Sequence, residues 1–233
     1  MKKVGLTVFI IALILGIGVA SIVSWGKASA RLFNIGFSIG GVSGSGNVTS
    51  EKREVSGFHG VDVSGVFDVE IVAQKDFGVE IQADDNLLQY IKTEVDDGVL
   101  EISATRKINS SGMLKVRISA PDIDNLETSG VAKISLADLK NGGLKVDSSG
   151  ASKMTLAGET DKLVIDVSGA SKIDAESLKS RAVTVDSSGA SKIAVFATDS
   201  VRVKASGASK ITYAGGATDV VSKTSGAGSV TPK

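Results

Sequence analysis

Apolar and polar residues alternate with period two through Leu144-Lys145-Val146-Asp147, Leu163-Val164-Ile165-Asp166-Val167, Val183-Thr184-Val185-Asp186 and Val201-Arg202-Val203-Lys204. The alternation resumes a few residues later in Lys153-Met154-Thr155-Leu156, Lys172-Ile173-Asp174-Ala175, Lys192-Ile193-Ala194-Val195 and Lys210-Ile211-Thr212-Tyr213. Period two is the mark of a strand with one buried face. Each unit therefore reads as two short strands joined by a bend at Ser-Gly-Ala-Ser. A third segment, such as Ala157-Gly158-Glu159-Thr160-Asp161, is polar and predicts a turn that brings the chain back.

The bend itself repeats. Ser129 to Ile134, Ser149 to Met154, Ser168 to Ile173, Ser188 to Ile193 and Ser206 to Ile211 are copies of one six-residue phrase, and Ser225 to Val230 is a degraded sixth. Their glycines are Gly130, Gly150, Gly169, Gly189, Gly207 and Gly226, which by subtraction gives steps of 20, 19, 20, 18 and 19 residues. A fixed period of this size marks a solenoid in which each coil stacks on the last. At about 3.3 Å per residue one coil has a circuit of roughly 60 Å. An up-and-down antiparallel barrel is the rival, but it would produce hairpin pairs, whereas here every unit recurs in one orientation.

The expected fold class is all-β, a single right-handed parallel β-helix of about 19 residues per coil, the hand following the usual strand-crossover chirality. Ile134, Met154, Ile173, Ile193 and Ile211 are expected to stack inside, and Lys133, Lys153, Lys172, Lys192 and Lys210 outside. Glycine at the bend is expected to supply a positive φ, with the following Ala or Val pointing inward at the corner.

Residues 56–102 read as a less regular part of the same scheme. Val61-Asp62-Val63-Ser64-Gly65-Val66-Phe67-Asp68-Val69-Glu70-Ile71 again has strand, Ser-Gly bend and strand, and Gly46 lies 19 residues before Gly65. Val79-Glu80-Ile81-Gln82-Ala83 and Gly98-Val99-Leu100-Glu101-Ile102 read as further strands. Asn86-Leu87-Leu88-Gln89-Tyr90-Ile91 reads as a short helical turn capped by Asp84 or Asp85. Phe58, Phe67, Phe77 and Tyr90 cluster here, as expected where an open solenoid end is closed.

Val55-Ser56-Gly57-Phe58, the string from Val61 to Val69, Ala83-Asp84-Asp85-Asn86-Leu87-Leu88, Thr93-Glu94-Val95, Asp97-Gly98 and Leu100 resemble the bacterial putative auto-transporter adhesin head domain, the GIN domain. The later Ser-Gly-Ala-Ser-Lys phrases are similar to that family too, and the likeness covers roughly Val48 to Val230. The resemblance implies a β-helical exported domain of a bacterial envelope and brings no catalytic residues with it. No segment of the chain reads as a translocator barrel.

The N-terminus bears on location. Lys2 and Lys3 precede an uncharged stretch, and Val4 to Trp25 is 22 residues, about 33 Å as a helix and enough to cross a bilayer core of about 30 Å. Residues 1–30 are thus a signal peptide or a membrane anchor helix. Ala28-Ser29-Ala30 has the form of a signal-peptidase site, while the length of the run and Trp25 suit a retained anchor. Residues 31–50, with Gly36, Gly40, Gly41, Gly44 and Gly46, read as a Gly/Ser-rich spacer, and residues 51–233 as one β-helical domain. Export to the envelope, periplasm or surface, follows from either reading, and the membrane is a partner if the helix is kept.

Composition narrows the chemistry. The 233 residues are 42% hydrophobic but only 4% aromatic, so the core is narrow and aliphatic. Lys plus Arg equals Asp plus Glu at 26 each, and no basic tract or aromatic platform stands out; nucleic acid is not expected as a partner. The absence of Cys removes thiolate zinc, cysteine nucleophiles and disulfides.

Ser-Gly-Ala-Ser-Lys suggests a serine–lysine dyad, but a dyad is needed once and the phrase recurs at every coil, with the wrong spacing for Ser-x-x-Lys. His59 has no His or Cys companion. Asp84-Asp85-Asn86 and Asp122-Asp124-Asn125 have calcium-seeking side chains but match neither an EF-hand loop nor the glycine-rich nonapeptide repeat. Asp147, Asp166 and Asp186 recur as a ladder, not as the converging cluster a polysaccharide-cleaving β-helix requires. No catalytic, metal or cofactor residue is therefore assigned. The remaining candidate is the stripe Lys133, Lys153, Lys172, Lys192 and Lys210. It is either a solubilising face that discourages edge pairing or a repetitive docking surface for an anionic glycan or cell-wall polymer.

Overall fold

A computed structural model of the chain describes residues 40–110 and 114–233. The hydrophobic helix expected over Val4 to Trp25 lies outside the described residues. The early strands are β1 (Val42–Ser43), β2 (Val48–Arg53), β3 (Gly60–Ser64), β4 (Val66–Val72), β5 (Gly78–Asp84), β6 (Ile91–Asp96), β7 (Val99–Ala104), β8 (Ile108–Asn109), β9 (Leu114–Ser119) and β10 (Asn125–Thr128). Strand pairing thus begins inside the Gly/Ser-rich segment. Then come the long strands β11 (Val131–Ser148), β12 (Lys153–Val167), β13 (Lys172–Ser187) and β14 (Lys192–Ala205), followed by β15 (Lys210–Ala214), β16 (Asp219–Thr224) and β17 (Ser229–Pro232).

The repeats stack as a parallel solenoid. β11 pairs β12, β12 pairs β13 and β13 pairs β14, all parallel and with like residues side by side: Lys133 beside Lys153, Ile134 beside Met154, Asp147 beside Asp166. Ile134, Met154, Ile173, Ile193 and Ile211 are all buried to within 1%, and the five lysines are exposed, as the alternation requires.

The third segment departs from expectation. Ala157 to Asp161 is not a turn; β12 runs unbroken through it. Its polar residues are strand residues of a second corner, where small hydroxyl side chains face inward. Thr160 and Ser180 are buried at 5% and 2%, and Thr160 Oγ1 donates to Asn141 Oδ1 at 2.8 Å. Length differences between coils are absorbed by register shifts between Leu136 and Leu139, Thr155 and Ala157, and Ala175 and Lys179, as β-bulges do.

The amino-terminal region breaks sequence order. β3 lies between β7 and β10, and β4 lies between β9 and β11. The coil bent at Gly65 is therefore stacked directly under the coil bent at Gly130, with everything from β5 to β9 inserted between them in sequence. Gly46 takes no part in this stack, since β2 pairs antiparallel with β5 and its spacing from Gly65 is coincidental. Antiparallel pairs β2–β5, β5–β9 and β6–β7 close this end, with Phe58 against Phe77 at 5.1 Å between ring centroids. The helical turn is a single 3₁₀ turn, Leu88–Tyr90, with no side-chain cap. Asp85 instead accepts from Ser45 Oγ at 2.5 Å and from the Asn86 amide at 2.7 Å.

Candidate docking surface at the Ser-Gly-Ala-Ser corner

Each corner is built from backbone. The amides of Ala151, Ala170, Ala190 and Ala208 donate to the carbonyls of Gly130, Gly150, Gly169 and Gly189 at 3.0–3.1 Å, so the inter-coil ladder continues around the bend. This close stacking explains the glycines. At Gly150, Gly169 and Gly189 a Cβ would sit 2.0 Å from the carbonyl oxygen of the glycine in the coil below. Positive φ is the reason only at Gly65, Gly207 and Gly226, which corrects the sequence expectation for the central coils.

The inward residue is the second after the glycine, not the first: Ala132 at the first corner and serine at the next four. Ser152, Ser171, Ser191 and Ser209 are buried, while Ala151, Ala170, Ala190 and Ala208 face solvent. Buried hydroxyls must find partners, and they find one another. Ser148 Oγ lies 2.9 Å from Ser152 Oγ and 2.8 Å from Ser171 Oγ. Ser187 Oγ lies 2.7 Å from Ser191 Oγ and 2.8 Å from Ser209 Oγ. These bonds pin the two strands of a corner to each other and to the next coil.

Outside the corner the charges separate by sign. Three residues after each glycine stand Lys133, Lys153, Lys172, Lys192 and Lys210, in register on adjacent strands and about 4.8 Å apart. Lys133 Nζ pairs with Asp68 Oδ2 at 3.1 Å. Among the described residues none of the other four has a carboxylate within ion-pair distance. Beside this lysine rail runs an apolar one, Val131 and then Ala151, Ala170 and Ala190, and together they line a shallow groove.

Three residues before the glycines stand acids: Asp62, Glu127, Asp147, Asp166 and Asp186, again in register. Glu101 and Glu94 extend this rail. Lys145, at 2.7 Å from Asp147 Oδ2, and Lys92, beside Glu94 and Glu101, form its ion pairs among the described residues; Asn125 Nδ2 donates to Glu127 Oε1 at 2.8 Å, and Lys204, in register beside Asp186, ends the rail. The electrostatic consequence is visible at two rungs. Asp62 is pushed above the ordinary carboxyl range by desolvation, then by Glu127 and Glu101. Asp166 is pushed up by desolvation, then by Asp147 and Asp186. The far corner of the same coils behaves differently: there Glu159 pairs with Lys179, and Arg181 with both Asp161 and Asp199.

The sequence ladder Asp147, Asp166, Asp186 is thus present, but its continuation through Glu127, Asp62, Glu101 and Glu94 was not foreseen. For Asp62 and Glu127 the signal was there, an acid three residues before Gly65 and Gly130. His59 sits elsewhere, its Nδ1 2.7 Å from Asp124 Oδ1. Asp122 Oδ1 accepts from the Ile123 amide and from Asn141 Nδ2. Among the described residues no three His, Asp or Glu side chains converge as a metal-binding group.

A family model described as putative auto-transporter adhesin, head GIN domain, matches residues 57–217. Two crystal structures share the fold. A putative adhesin from Bacteroides fragilis NCTC 9343 aligns with a TM-score of 0.66 at 18% identity, covering 83% of this chain and 100% of that one. A putative adhesin from Parabacteroides merdae ATCC 43184 aligns with a TM-score of 0.52 at 21% identity, covering 82% and 98%. No curated protein matches the chain.

Proposed function

We propose, for a chain that belongs to the family of the putative auto-transporter adhesin head GIN domain, a non-enzymatic role as an exported envelope component that docks through its lysine rail on an anionic polymer, an acidic glycan or cell-wall polymer. The observation that carries this reading is the segregation of charge. At the far corner charges of opposite sign pair from coil to coil, whereas Lys153, Lys172, Lys192 and Lys210 stand in line without carboxylate partners among the described residues. Like charges on adjacent strands oppose one another, and a polyanion running along the stack relieves that repulsion. Each contact is weak and salt-screened; affinity comes from several at once. The apolar floor of Val131 and the alanines admits close approach of a polymer backbone.

Export rests on the uncharged Val4–Trp25 stretch and on the family. The acids form a line in register rather than a converging cluster, which supports a binding role over cleavage. Replacing Lys153, Lys172 and Lys192 together by Gln is expected to abolish recovery of acidic polymers from envelope fractions while the strand circular-dichroism signal persists. Equal recovery by both forms would end the lysine-rail reading. Release of new reducing or unsaturated ends from acidic glycans would make the protein an enzyme instead.

A further inference from the structure

The acid rail and the lysine rail belong to the same coils, so their rungs share one spacing. The coil that carries Asp147 also carries Lys153, and the same holds for Asp166 with Lys172 and Asp186 with Lys192. Both rails line shallow grooves, the acids one of about 330 Å³ and the exposed lysines, with the alanines, one of about 550 Å³, so the match between them is one of charge sign and rung spacing. We propose that the acid rail of one copy receives the lysine rail of a second copy, so that the protein associates side by side with itself.

The corner geometry sets the mode. Ser148 and Ser152 point inward and converge to 2.9 Å, so the outward side chains of their neighbours Asp147 and Lys153 diverge. The two rails lie on opposite flanks of the Ser-Gly-Ala ridge. A contact between different surfaces of identical copies leaves a free rail at each end and propagates, instead of closing a twofold dimer. A net charge of zero offers no long-range repulsion against such association. The inference rests on the lysine rail being a docking face, and adds that a neighbour's carboxylates fill it when no polymer is bound. Polymer and self-association therefore compete.

Sedimentation velocity of the purified chain tests this. At roughly 0.01 M salt, where the screening length is about 30 Å, the weight-average sedimentation coefficient should rise with protein concentration; at about 1 M salt, where it is about 3 Å, it should not. The variant D147N/D166N/D186N should lose the rise yet still bind polygalacturonate. D147K/D166K/D186K and K153D/K172D/K192D should each fail to associate alone and should associate when mixed. If these reversals do not fold, the Asn variant alone decides. A wild-type protein monomeric at low salt, or an Asn variant that associates as well as wild type, would overturn the proposal and leave the acid rail to a soluble cation or a basic protein. Association without polygalacturonate binding would leave this inference standing and end the preceding one.

Discussion

Gly169 shows what a single position contributes. Its α-carbon passes so close to the coil below that an added Cβ would lie 2.0 Å from the Gly150 carbonyl oxygen, a backbone atom that cannot turn aside. The same oxygen accepts the Ala170 amide at 3.0 Å, so any shift to make room also lengthens a ladder bond. Gly169→Ala should therefore destabilise the protein by about 1–3 kcal/mol, the range for overpacking a closed structure. Gly142→Ala is the control, since nothing lies within 4 Å of its added Cβ, and it should change stability by less than about 0.5 kcal/mol. Urea denaturation of the two variants checks the contrast; equal losses would mean that corner stacking is not what demands glycine. The serine hydroxyls add a second constraint at the same corner, because Ser171 is buried and bonded to Ser148 and Ser152 of the coil below.

At the scale of the element, the alternation in the repeats was enough to place inward isoleucines and outward lysines, because one-face burial enforces period two. It was not enough at the corners. Ser and Ala are both small, and polarity does not tell which turns in: the second residue after the glycine faces the core whether it is Ser152 or Ala132, while Ala151 and Val131 face out. Nor could local pattern show that Thr160 and Ser180 lie within strands, since their polarity resembles a turn and the partner of Thr160, Asn141, comes from another coil.

The acid rail is a property of paired strands in the same sense. Desolvation and like-charged neighbours raise the Asp166 pKa in the folded state, so the folded state holds its proton more readily than the unfolded state does. The cost of this carboxylate is absent below its ordinary pKa of 3.8 and grows as pH rises through the raised folded value. Asp166→Asn should accordingly raise the melting temperature at pH 8, and the gain should shrink toward zero as pH falls to about 3.5. A gain that is constant with pH would show that the rail is not electrostatically strained.

On the scale of the whole molecule, the stack joins segments far apart in sequence. Gly65 and Gly130 are neighbours in space because after β4 the chain forms the antiparallel closure, lays β7 and β9 parallel against one side of β3 and β4, and returns with β10 and β11 on the other side. Interval counting alone pointed to Gly46 as the partner of Gly65, since spacing records period but not which coils touch. That same detour brings Asp62 and Glu127 into line with Asp147, so the longest charged feature of the surface is assembled only by the fold. The sequence repeat makes the lysine rail legible in advance; its significance lies in the contrast with the far corner, where charges of opposite sign pair between coils.

The central claim is that four adjacent lysines act together on a polyanion. It is tested most directly by measuring the affinity of the protein for polygalacturonate across a salt series, beside wild type's K153Q/K172Q/K192Q variant and with dextran as the neutral control. The account predicts tight binding by wild type that falls steeply and linearly in log–log form as salt rises, a much shallower fall for the variant, and no dextran binding by either. Salt-independent binding, or identical slopes for the two proteins, would contradict it.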